Sequence, residues 1–119
     1  MLAVDLHAHT HFSRCGLHSH LELLERARSL GMQGLAITDH GPAIRGRVCA
    51  AFFDRLHAPV AGVRLLKGME CNLVDEDGAI DLPLQHLPNM DVVLLGIHPN
   101  TPAGLGVETY TARLLAALA

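Results

Sequence analysis

Short, almost wholly apolar runs alternate with segments of helical period along this chain, and that alternation limits the fold more than any other feature. Gly34 to Thr38 and Asp91 to His98 are nearly continuous apolar runs, the pattern of parallel strands covered on both faces. Leu2 to His9 and Val63 to Asn72 read as two further strands. Between the first two, Ser19 and Glu22 form a capping box ahead of Leu21, Leu24, Ala27 and Leu30, with Gly31 as the stop. Arg47 to Leu56, with Val48, Phe52 and Leu56 at helical spacing, is a second predicted helix ended near Pro59. Asp75 to Gly78 is a turn leading into a small hairpin with Ala79 to Leu82, and Pro83 to Leu87 is one helical turn. Glu108 to Ala119 closes the chain as a helix with Tyr110, Leu114, Leu115 and Leu118 on one face. Strand then helix, repeated about four times, predicts an α/β fold with a parallel sheet, either open or part of a barrel. With 119 residues the chain is a single domain or a piece of a larger one.

Composition narrows the chemistry. A net charge of -3 and an aromatic share of 3% give neither the basic footprint nor the stacking surface of a nucleic-acid binder. Half the residues are apolar, which excludes a disordered chain. There is no apolar run of about 18 residues, and Asp5 and His7 follow Met1 too soon for a signal peptide. The odd cysteine set of Cys15, Cys49 and Cys71 lacks the spacing of a disulfide framework. A reducing, cytoplasmic setting is expected. Nine histidines beside one tyrosine and no tryptophan point to metal chemistry.

The sharpest local signal is Asp5-Leu6-His7-Ala8-His9-Thr10. Side chains two apart on a strand share a face, so His7 and His9 can grip one ion together, and Asp5 can orient an imidazole from behind. Equivalent residue types end the other strands: Thr38-Asp39-His40, Gly68-Met69-Glu70 and Gly96-Ile97-His98. In a barrel the carboxyl ends of strands converge on one face, so four strands each bring a ligand type to one rim. Imidazole with carboxylate suits zinc, manganese or iron. Arg14, Arg45 and Arg47 lie in loops predicted on the same rim, where a guanidinium clamps phosphate. Asp39 is a candidate for orienting substrate. Cys15 sits in the rim loop as a competent thiolate ligand, while Cys49 and Cys71 read as core residues. The bland reading, solvated or structural histidines, is favoured for His11, His18, His20, His57 and His86.

These motifs, in this order, resemble the PHP family, the polymerase and histidinol phosphatase superfamily of metal-dependent phosphoesterases. Asp39-His40-Gly41-Pro42 and the stretch from Glu70-Cys71-Asn72 to Gly78-Ala79-Ile80-Asp81 are most similar to its YcdX-type phosphatase branch. The resemblance implies a distorted seven-stranded (β/α) barrel, of which this chain carries about four strands with flanking helices, and up to three zinc ions. It implies His7 and His9 on the first metal, Glu70 bridging the first and second, His98 on the second and His40 on the third. The branch's further histidine for the third metal is matched here by Cys15. Implied too are water activated by the metals, a phosphorylated small-molecule substrate and no membrane partner. The family's later histidine motifs have no counterpart after His98, so residues 1–119 read as the amino-terminal half of a PHP domain, completed by a carboxy-terminal half or by self-association. Two alternatives stand beside this. One is an amidohydrolase-type metal hydrolase, which also begins with His-x-His but bridges its metals with a lysine, and Lys67 is the only lysine. The other is a non-catalytic metal-binding fragment.

Overall fold

The computed structural model describes residues 3–75, 77–98 and 106–118. Its strands are β1 (Val4–Ala8), β2 (Gly34–Ile37), β3 (Arg64–Cys71) and β4 (Val92–Leu95), and its α-helices are α1 (His20–Ser29), α2 (Ala50–Arg55) and α3 (Val107–Leu118). Short 3-10 segments cover Pro42–Ile44 and Leu84–Asn89. All three strand pairs are parallel and lie in the order β1-β2-β3-β4, so the sheet grows in chain order and curls into a partial barrel. Parallel neighbours need crossover connections, and helical segments supply them outside the sheet.

β2 is buried at every position because it has a strand on each side and helices behind it. The core joins Leu24 and Ala27 of α1, Leu35 and Ile37 of β2, Phe52, Phe53 and Leu56 around α2, and Met69 and Cys71 of β3. At α1 the capping box forms as the sequence requires: Ser19 accepts from the Glu22 amide, and the Glu22 carboxylate accepts from the Ser19 amide.

Four expectations need correction. α2 begins at Ala50 rather than near Arg47, because Arg47 donates its amide to the Phe12 carbonyl and Cys49, in extended backbone, offers no side-chain cap. Cys49 is exposed and not a core residue, whereas Cys71 is fully buried. β4 is not the most buried strand, since among the described residues it is hydrogen-bonded only to β3 and Val93 remains 41% exposed. On α3 the inward residues are Tyr110, Arg113, Leu114 and Ala117, while Leu115 and Leu118 are exposed. Leu2 and Ala119, the outer ends of two predicted elements, lie outside the described residues.

Candidate metal centre

The carboxyl ends of all four strands meet at Glu70. β1 delivers His7 from its last turn of pleat and His9 just beyond it, through an irregular register between Asp5 and Ala8. Such bulges re-aim side chains next to functional sites. Beyond β2 the ladder continues, with the Glu70 amide donating to the Asp39 carbonyl and the Gly41 amide to the Glu70 carbonyl, which sets His40 opposite Glu70. Past β4 the Gly96 amide donates to the Cys71 carbonyl, and His98 turns back toward the sheet. A Cβ at position 96 would collide with the His98 ring and Glu70 Oε1, so only glycine lets that ring come home.

The convergence is tight. Glu70 Oε2 lies 3.4 Å from His7 Nε2, 3.2 Å from His9 Nε2 and 2.9 Å from His40 Nδ1, and Oε1 lies 3.1 Å from His98 Nε2. His7 Nε2 and His9 Nε2 are 3.0 Å apart. A neutral imidazole carries one donor and one acceptor nitrogen, so these rings cannot all satisfy one another. His40 Nδ1 and Glu70 Oε2 are both buried and make no hydrogen bond despite their closeness. Burial lowers the pKa of His9 and His40, keeping the rings in the neutral form that ligates metals. Burial works to raise the Glu70 pKa, but the imidazoles of His98, His40 and His7 outweigh it and hold the carboxyl below its usual range. Lone pairs thus crowd a carboxylate with too few protons between them. A divalent cation fits that donor set. Three overlapping groups have ligand atoms within 4.8 Å of one another: His7, His9 and Glu70; His40, Glu70 and His98; and His9, Cys15 and His40.

Cys15 Sγ sits 3.0 Å from His9 Nδ1, which brings it into the cluster. Arg14 and Arg45 line a cleft of about 460 Å³ whose wall includes Cys15 and His40. Arg45 holds the left-handed backbone region at φ 68° as the C-cap of the Pro42–Ile44 turn, its amide donating to the Pro42 carbonyl. Neither arginine forms an ion pair among the described residues.

Asp39 is placed otherwise than expected. It is fully buried, and its carboxylate accepts from the Thr10 and Ser13 amides and from both hydroxyls at 2.6 to 3.1 Å. Its carboxylate is closed off from the cleft surface and tied to the loop between His9 and Cys15. Asp5 likewise accepts from the His7 backbone amide and not from a ring. Lys67 donates to the Phe53 carbonyl, away from Glu70, so this lysine is not the bridging group that the amidohydrolase reading requires. His57 bonds the Arg55 carbonyl and His86 stacks beside Phe53, both outside the cluster. Sequence reasoning missed Thr10, Ser13, Asn72 and Asp81; the partners of the first two lie 26 to 29 residues away, beyond any local pattern.

Against this geometry the comparisons are consistent. The PHP domain profile matches residues 5–117. The chain is 38% identical over 115 residues to a probable phosphatase of Acetivibrio thermocellus, covering 94% of this chain and 48% of that protein. It is 37% identical over 100 residues to a probable phosphatase of Caldanaerobacter subterraneus, covering 82% and 39%. A probable phosphatase of Vibrio vulnificus is 36% identical over 120 residues, covering 96% and 47%. The chain spans about half the length, or less, of these curated relatives. No described helix is long and apolar enough to cross a membrane.

Proposed function

This chain belongs to the PHP family, and on that premise we propose that it carries the cation-binding rim of a metal-dependent phosphoesterase acting on a phosphorylated small molecule, a phosphate monoester. The observation that carries the reading is the meeting of His7, His9, His40 and His98 around one carboxylate, Glu70. His7 and His9 with Glu70 would hold one cation, Glu70 with His98 a second, and His40 with Cys15 a third. Imidazole, carboxylate and thiolate together suit zinc better than magnesium or calcium, with manganese and iron as rivals. Bound there, the cations supply Lewis-acid stabilisation of phosphoryl oxygens and lower the pKa of water.

The protein's own groups do the rest. Arg14 and Arg45 are free to take phosphate oxygens at the mouth of the cleft. Asp39 fixes the first loop from beneath. Residues 1–119 form the amino-terminal half of a single PHP domain in this reading, and the unpaired cysteines agree with a reducing compartment such as the cytoplasm.

Metal content after purification and dialysis tests this. Alanine at His7, His9 or Glu70 should remove most of the zinc bound by the parent protein, while alanine at His86, outside the cluster, should leave it. Hydrolysis of p-nitrophenyl phosphate, where measurable, should fall with the same three substitutions. Zinc content unchanged by all three would refute the assignment.

A further inference from the structure

We propose that Asp81 decides which nitrogen of His98 carries the proton, acting through the side-chain amide of Asn72, and is thereby a positioning residue of the cation site. The inference rests on the reading of His98 as a cation ligand. It starts from a carboxylate into which three N–H groups point. Asp81 Oδ1 accepts from the Asn72 backbone amide at 2.7 Å, and Oδ2 accepts from Asn72 Nδ2 at 2.7 Å and from the Ala43 amide at 3.0 Å.

The two ends of an asparagine amide are nearly isosteric, so its orientation has to be inferred from its neighbours. Here the neighbour is decisive: a carboxylate accepts and does not donate, so the nitrogen faces Asp81 and the oxygen faces away. That oxygen lies 2.5 Å from His98 Nδ1. An amide oxygen also only accepts, so Nδ1 carries the hydrogen. In the neutral ring Nε2 is then bare, and it points at Glu70 Oε1, 3.1 Å away, where the ligand groups converge. Ligating histidines commonly have their free nitrogen fixed by an outer partner in this way. Here the partner is itself fixed by a second residue.

The arrangement is built into the fold. Asn72 is 1% exposed, so water does not replace a lost partner. Gly41 packs so closely on Asp81 and Met69 that a Cβ would collide with both. Ala43, the third donor to Asp81, lines the same cleft as His40 and Arg45. One carboxylate therefore anchors both a ligand's tautomer and a wall of the cleft.

The test is nitrogen-15 NMR of the histidine rings of the intact chain without metal, joined to zinc titration. In the parent protein His98 should be protonated at Nδ1. Asp81→Leu removes the acceptor that holds the Asn72 amide, so that amide is free to rotate, the His98 proton should move to Nε2, where Glu70 accepts it, and zinc affinity should fall about 10- to 100-fold. Adding Asn72→Asp to that variant restores an acceptor facing His98. The double variant should return the proton to Nδ1 and recover most of the affinity, which a loss of packing alone would not do. A parent protein protonated at Nε2, or Asp81→Leu with an unmoved proton, overturns the proposal, and the first of these needs no variant to fold. If the parent protein binds no zinc, the cation reading itself fails, whatever tautomer is found.

Discussion

At the scale of single residues, neighbours in the chain have opposite fates. Asp39 and His40 are adjacent, yet the carboxylate is sealed below the rim while the imidazole enters it. Asp39 satisfies four donors from Thr10 and Ser13, and leaving a buried donor unmade costs about 1 to 3 kcal/mol each, less whatever the site recovers by relaxing. Asp39→Ala should therefore destabilise the protein by at least about 3 kcal/mol in urea unfolding. Because Thr10 and Ser13 lie between His9 and Cys15 in the first loop, zinc affinity should fall as well. A loss under about 1 kcal/mol would mean that this network is not what holds the loop. Cys71 shows the same hidden side of the rim: burial, with Asp81 and Glu70 adding to it, raises its thiol pKa to about 12, so it stays a neutral packing group.

Among the elements, α1 is the one whose formation is written most locally. Ser19 accepts from the Glu22 amide at 3.3 Å, and Glu22 accepts from the Ser19 amide at 2.7 Å. Removing the cap by Ser19→Ala should lower stability by about 1 kcal/mol. α1 packs behind β2 through Leu24 and Ala27, and among the described residues none of the candidate ligands lies on it. Zinc affinity should accordingly be unchanged in that variant; a parallel loss would show that α1 and the rim are coupled. α2 and α3 behave differently, because their ends and faces follow what they touch. Arg113 turns inward on α3 where the hydrophobic pattern nominates Leu115 and Leu118.

For the molecule as a whole, the proposed site is a cross-link. Its ligands come from the ends of four adjacent strands, so a cation bound at Glu70 would join β1, β2, β3 and β4 at once, beyond what the sheet's own hydrogen bonds do. A ligand that binds only the folded state stabilises it by about 2.7 kcal/mol at a hundred times its dissociation constant. Zinc should thus raise the thermal midpoint relative to chelator, and His98→Ala should blunt that shift. Equal midpoints with and without zinc would contradict a site shared between strands. Among the described residues β1 and β4 each pair on one side only, and Leu6, Val93 and Ile97 near them are exposed. These are the edges at which a partial barrel is open.

Much of this was legible from the chain alone. A period of two places His7 and His9 together, apolar runs mark the strands, and Ser19 with Glu22 starts a helix, because each rule acts between residues a few positions apart. Parallel order then carries the candidate ligands to one end of the sheet. Which of two adjacent polar residues faces the mouth, which side of α3 turns inward, and how Asp81 and Asn72 address His98 were decided only by the tertiary structure. Those outcomes depend on partners tens of residues distant, and on burial that leaves a polar group no choice except the neighbour packing supplies.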